Sequence, residues 1–260
     1  MLVDVTYDDA IRNAPVVIFA HGFKGFKEWG THNLVAEYFA HNGYKYLKFN
    51  FSHNGTTPDN PVDFADLMAF SENTFSIELE DLDTIIDFAC SGSGMAVASG
   101  VYLIGHSMGG GISIIKSAED SRIRKLVTMA SISNFHNLWP KQSEQQWRLQ
   151  GVIYMHNSRT GQQMPLKSTT LSDLDSNPLR LDILAQAARV TQPWLLLHGD
   201  ADPTVPLSHA QELHEAQPNA EFVVFPGFDH TFGGSHPYAA TTLPTALKEF
   251  CDQTVRFLNK

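Results

Sequence analysis

Along the chain, short apolar runs alternate with longer segments of mixed polarity. PVVIFA (15–20), YKYLKF (44–49), VYLIG (101–105), KLVTMA (125–130), PWLLLHG (193–199) and EFVVF (221–225) each read as a strand. Such runs, apolar without regular alternation, mark strands buried on both faces. Between them the period lengthens. NLVAEYFAHNG (33–43) puts Leu34, Val35, Tyr38 and Phe39 on one stripe and ends at Gly43, a helix stop. FSIELEDLDTIIDFAC (75–90) repeats the pattern with Ile77, Leu82, Ile85, Ile86 and Ala89. Strands alternating with amphipathic helices predict an α/β fold, a mostly parallel sheet with helices on both faces and right-handed crossovers.

The alternation stops between about Ser133 and Asn177. This stretch holds Trp139, Trp147, a hairpin-like GVIYMHNSRTGQQMPL (151–166) and a polar run, KSTTLSDLDSNP. Connections longer than about 12–15 residues in compact domains are usually functional or disordered. Two tryptophans and an apolar hairpin predict a folded insertion, residues 133–177, within a single domain spanning 1–260.

Composition narrows the partners more than the fold. Of 260 residues, 43% are hydrophobic and 18% charged, enough for a packed core. The net charge of −10 opposes electrostatic binding to nucleic acid or to an anionic membrane surface. Only Cys90 and Cys251 are present, which gives neither a disulfide framework nor a thiolate metal cluster. The start, MLVDVTYDDA, lacks the basic and apolar regions of a secretory signal, and no run approaches 18 apolar residues. A cytoplasmic protein without a membrane span is expected. Among the 12 histidines, His209 and His214 are five apart rather than the four that would share a helix face toward a metal. GSGMAVASG (92–100) lacks the lysine of a phosphate-binding loop and precedes a strand. Neither metal nor cofactor is expected.

The chemistry is concentrated in VYLIGHSMGGG (101–111). Gly105-x-Ser107-x-Gly109 falls where a strand passes into a helix. A turn that sharp strains the central residue and excludes side chains two positions away, leaving the serine hydroxyl exposed above the sheet. A serine needs a base and an acid that orients it. HGDADPTVP (198–206) offers Asp200 and Asp202, and GFDHTFGG (227–234) offers Asp229 and His230. Both loops leave the carboxyl ends of predicted strands, as Ser107 does, and that edge of a parallel sheet is where ligands bind.

HGFKG (21–25), FNFSHNG (49–55), GHSMGG (105–110), HGDADPTVP and GFDH together resemble an α/β-hydrolase, in the small bacterial esterase and acyl-peptidase-like branch that includes cinnamoyl and feruloyl esterases. The resemblance implies an α/β-hydrolase fold with a small lid after the strand at 125–130. The short lead-in before PVVIFA departs from the pattern and suggests missing edge strands. Ser107 is then the nucleophile and His230 the base. Asp202 is the orienting acid by the pattern G-x-x-D-x-x-V, Gly199 to Val205, with Asp200 as the alternative. The backbone N–H groups of Phe23 and Met108 form the oxyanion hole. Asp229, adjacent to His230, reads as a structural loop acid, and His53 and His106 flank the pocket.

The function expected is cleavage of a small to medium carboxylic ester through an acyl-enzyme, by a serine hydrolase acting on a small molecule. The alternatives are a peptidase, amidase or thioesterase on the same triad, or a non-catalytic receptor on this fold. Phe135, Leu138, Trp139, Trp147, Ile153 and Met155 would supply the apolar wall of the pocket, with Trp139 and Trp147 contacting substrate. The alternative is that the insertion's aromatics form a small core of its own.

Overall fold

In the strand Val16–Ala20, successive side chains enter two separate cores. Val16, Ile18 and Ala20 belong to one buried cluster, and Val17 and Phe19 to another. Period-two geometry imposes this division on any strand covered on both faces. The computed structural model describes residues 1–11, 14–91 and 100–260. All of GSGMAVASG except its last glycine lies outside the described residues.

In chain order the elements are β1 (Val3–Thr6), β2 (Val16–Ala20), α1 (His32–His41), β3 (Lys45–Phe49), α2 (Leu67–Glu72), α3 (Phe75–Cys90), β4 (Val101–His106), α4 (Met108–Glu119) and β5 (Ile123–Met129). Then follow α5 (Glu144–Gln150), β6 (Val152–His156), β7 (Gln163–Lys167), α6 (Thr169–Ser176), α7 (Ile183–Ala187), β8 (Trp194–Gly199), α8 (Ser208–Ala216), β9 (Glu221–Phe225) and α9 (Thr245–Leu258). Among the described residues, seven strands form one sheet in the order β1-β3-β2-β4-β5-β8-β9. The six strands expected from the sequence are all in it and run parallel. α3 and α4 contribute to the cluster on one face, α1 and α9 to that on the other. No described helix is long and apolar enough to cross a membrane.

The N-terminal lead-in corrects one expectation. It supplies an edge strand, β1, which pairs antiparallel with β3 in the register Val3↔Phe49 to Thr6↔Tyr46. Asp4 fastens it. Its Oδ2 accepts from Lys27 Nζ at 2.7 Å and from Lys48 Nζ at 2.5 Å, and both lysines are buried. Burial pushes the Asp4 carboxyl up, but hydrogen bonds and charge from the two ammonium groups hold it below its ordinary value. Asp4→Ala should therefore destabilise the fold by about 1–3 kcal/mol, less than for a fully buried pair because the aspartate side chain is 41% exposed. A depressed carboxyl stabilises above its unfolded pKa, near 3.9, and loses that contribution as pH falls through the lower folded value. Denaturant titrations should show wild type and variant separated at pH 7 and converging in acid. An equal gap at both pH values would count against the ion pair.

The insertion is folded and begins as expected. Phe135–Leu138 forms a 3-10 turn, α5 follows, and β6 and β7 make an antiparallel hairpin. The polar run KSTTLSDLDSNP forms α6 over most of its length. Leu171 and Leu174, one turn apart, are buried while Ser172, Asp175 and Ser176 are exposed. Asp173 accepts from Ser76 N (3.0 Å) and Ser76 Oγ (2.6 Å), and Thr170 Oγ1 donates to Asn73 O (3.1 Å). These bonds dock α6 on the start of α3. Phe75 stacks on Phe135 with ring centroids 3.8 Å apart, and Trp139, Trp147, Leu166 and Leu171 join the main core cluster. The insertion thus shares the body's core and has none of its own.

Candidate active site

Ser107 links β4 to α4 with φ 57° and ψ −120°, a region that costs a non-glycine residue about 1–3 kcal/mol. Its flanking glycines are steric necessities. A Cβ on Gly105 would lie 2.5 Å from Gly109 O and from Ser113 Oγ, and one on Gly109 would lie 2.4 Å from the carbonyls of Ala20 and His21. The strained residue is held by Ser107 N–H donating to Met129 O (3.0 Å) and Ser107 O accepting from Gly110 N (3.0 Å). The side chain lines a cavity of about 140 Å³ that His230 also lines. No direct Ser107–His230 hydrogen bond occurs among the described residues; catalytic contacts of this kind often tighten only when substrate is bound.

Asp202 and His230 lie on the loops that follow β8 and β9. β8 pairs with β9 up to Gly199↔Phe225, so the loops that follow them emerge side by side. His230 Nδ1 lies 2.7 Å from Asp202 Oδ2. A carboxylate only accepts, so Nδ1 carries the proton and Nε2 is left free to act as a base. Asp202 Oδ1 accepts from the N–H groups of Thr204 (2.8 Å) and Val205 (2.9 Å). This side-chain turn is the physical content of the D-x-x-V spacing. Burial raises the Asp202 carboxyl, but the hydrogen bond and charge of His230 and the two N–H groups bring it below its ordinary value. His198, fully buried, donates from Nε2 to Val205 O (2.8 Å) and braces the same turn.

The other acids are spent elsewhere. Asp200 is exposed and accepts from Gly227 N (2.6 Å), tying the acid loop to the histidine loop. Asp229 Oδ1 accepts from Gly233 N (2.9 Å) and Thr231 N (3.1 Å) within its own turn.

Phe23 and Met108 lie on neighbouring segments beside Ser107. Ala20 pairs with Gly105, which sets the loop carrying Phe23 beside the start of α4. Met108 is the first residue of α4, where an N–H has no intrahelical acceptor. Among the described residues neither N–H is engaged in a hydrogen bond. Phe23 and Met108 also border a second, narrow recess of about 20 Å³, walled by Phe70, Phe75, Leu138 and Trp139. Trp147 does not line that recess. It is fully buried behind Trp139, with ring centroids 5.1 Å apart and planes at 86°.

Three histidines around Ser107 are kept neutral by burial. The His21 imidazole is pushed down to about 4, His106 to about 3, and His32 well below the ordinary value. His106 Nε2 donates to the carbonyl of His230 (3.0 Å), fixing the histidine loop from beneath. His53 bonds instead to Ser52 Oγ (2.7 Å). Sequence reasoning placed His106 near the pocket but had no signal for this contact. It also missed Phe70, Phe75, Leu166 and Thr170 in the recess.

Residues 17–242 match the model of the alpha/beta hydrolase family. Among solved structures, the chain is similar to Est1E from Butyrivibrio proteoclasticus with ferulic acid bound, at 17% identity and a TM-score of 0.72, covering 99% of this chain and 94% of that one. It is similar to a monoacylglycerol lipase from Paleococcus ferrophilus at 16% identity and a TM-score of 0.72, covering 99% and 97%. It is also similar to mouse alpha/beta hydrolase domain-containing protein 10 at 16% identity and a TM-score of 0.71, covering 99% and 93%. A search of curated proteins finds no match.

Proposed function

The chain belongs to the alpha/beta hydrolase family, and on that premise we propose that it is a serine hydrolase cleaving small to medium carboxylic esters. One observation carries the reading. A strained, elbow-mounted Ser107 and an Asp202-bound His230 line one cavity, beside two unengaged backbone donors. Ser107 Oγ attacks the ester carbonyl while His230 Nε2 takes its proton. The oxyanion accepts from the N–H groups of Met108 and Phe23. Collapse breaks the bond to the alcohol oxygen, which receives the proton from His230, and water then repeats the sequence on the acyl-enzyme.

The same steps divide the site into two lobes. His230 must reach the leaving oxygen, so the alcohol belongs in the 140 Å³ cavity that His230 lines with Thr231, Lys24 and Trp29. The acyl group belongs across the oxyanion donors, in the recess under Trp139. That recess is narrow and aromatic, which favours short or flat acyl groups over long chains. The ferulic acid held by Est1E makes a cinnamoyl ester the aromatic substrate to try.

Trp139→Ala should enlarge the recess and raise the cinnamoyl-to-acetyl ratio of kcat/KM by about 5–10-fold, within the usual range for pocket volume changes. Trp147→Ala, one layer back, should instead cost stability by about 3–5 kcal/mol, as emptying a fully buried aromatic site does. A series over acetyl, butyryl, cinnamoyl and palmitoyl esters tests both. Best activity on palmitoyl, or an unmoved ratio in Trp139→Ala, would remove the acyl-recess assignment. The whole reading is tested by fluorophosphonate labelling with a panel of esters, amides and thioesters. No label and no turnover would favour a receptor.

A further inference from the structure

Among the described residues, Lys24 is the one formally charged group lining the lobe assigned to the leaving group, and no carboxylate lines it. His21, His32 and His106 also line that lobe, but burial keeps them neutral. Lys27 and Lys48 share Asp4, and Lys116 reaches Asp83 at 2.7 Å, whereas the buried Lys45 lies over the Tyr7 ring and Lys125 donates to the carbonyls of Phe257 and Leu258, neither of them lining this lobe. Lys24 has no ion pair or hydrogen bond among the described residues. Its Nζ sits only over the Phe23 ring, 5.6 Å from the centroid. The side chain is half-buried, and that burial lowers its pKa, a cost that a bound anion would offset.

The backbone supplies a second, independent observation. Lys24 has φ +56° in the turn closed by Gly25 N donating to Gly22 O at 2.9 Å. A turn needing a positive φ selects glycine or asparagine when only the turn matters. A lysine held there against that preference, beside the nucleophile, indicates that its side chain is used.

We propose that Lys24 forms an anion subsite in the leaving-group lobe and selects substrates whose leaving group carries a carboxylate close to the scissile bond. The chemical class is an O-acyl hydroxy acid, or an N-acyl amino acid should the triad accept amides. The overall charge of −10 repels anions at long range, so this selection is local to the lobe. The assignment of the lobe rests on the serine-hydrolase reading above.

The test holds the acyl group constant and changes only the charge beyond it. Wild type, Lys24→Met and Lys24→Gly are compared on the benzoyl esters of glycolate and of its neutral isostere, glycolamide. Wild type should favour the glycolate ester by about tenfold or more in kcat/KM, the scale of one charge-assisted hydrogen bond. In both variants the ratio should fall close to one. Lys24→Gly also relieves the backbone, so a fold defect cannot produce the same result in both. A wild-type ratio near one, or an unchanged ratio in the variants, would overturn the subsite. If neither ester turns over, calorimetry with N-benzoylglycine and its amide still decides. Tighter carboxylate binding that is lost in Lys24→Gly supports the subsite, and equal binding rejects it. Fluorophosphonate labelling of Ser107 reports separately on the hydrolase reading.

Discussion

Ser107→Ala is expected to lower kcat by something on the order of 10⁶ while leaving the fold intact. The variant removes one oxygen from a residue whose backbone is already held at φ 57° by hydrogen bonds from Ser107 N and to Ser107 O. Alanine meets the same backbone strain as serine, so stability should move by less than about 1 kcal/mol. The donors at Met108 and Phe23 stay in place, and the residual rate should exceed that in water through them alone. Kinetics on a small ester, thermal unfolding and mass mapping of a fluorophosphonate adduct check the three parts.

A rival for the adduct exists. Ser133 Oγ lies 2.8 Å from His209 Nδ1 and 2.5 Å from Glu212 Oε2. The Ser133 backbone N–H also donates to that same Nδ1 (3.1 Å), which occupies the nitrogen's one lone pair. Ser133 sits on neither a positive-φ turn nor a helix start. An adduct on Ser133, or full activity in Ser107→Ala, would transfer the role and end the present assignment.

Six strands were legible in the sequence because most are runs too apolar to be half-exposed, although β9 at the sheet edge is partly exposed. β1 was not. VDVT is four residues long, and what holds it is Asp4 meeting lysines 23 and 44 positions away. α6 was hidden for a related reason. Its serines, threonines and aspartates are poor helix formers, and only the docking of Leu171 and Leu174 decides for helix. In the site, Ser107 and Asp202 were visible because each depends on local chemistry: two glycines that must approach backbone, and a carboxylate that turns the chain onto its own N–H groups. Leu138 and Trp139 were read as pocket wall, but the rest of the recess was not visible. Phe70, Phe75, Leu166 and Thr170 come from separate segments, and only the packed fold brings them against Trp139. The Lys24 lobe was masked differently, since net charge pointed away from anions while the local arrangement points toward them.

Asp202→Asn is expected to cost roughly 10⁴ in kcat, by the tautomer argument, whereas Asp200→Asn should cost less than about tenfold. The asparagine keeps the shape of the turn, and its Oδ1 can still accept from Thr204 N and Val205 N. Its amide nitrogen then falls where Oδ2 met His230 Nδ1. That nitrogen donates, so Nδ1 must become the acceptor and the proton moves to Nε2. An imidazole protonated on Nε2 cannot take the proton of Ser107, and the cationic form loses its carboxylate. Asp200 has no such contact. Among the described residues its carboxylate accepts only from Gly227 N, and an amide oxygen serves that bond nearly as well. The linkage is also one-directional in pH. The Asp202 carboxyl is held low in the fold, so its hydrogen bonds stabilise above the ordinary carboxyl pKa of about 3.9 and fade as acid protonates it. Asp202→Asn should therefore lose most stability near neutrality and little below pH 3. Equal kcat losses in the two variants would mean that Asp200, by tethering the histidine loop, matters as much as the acid, and the choice of Asp202 would fail.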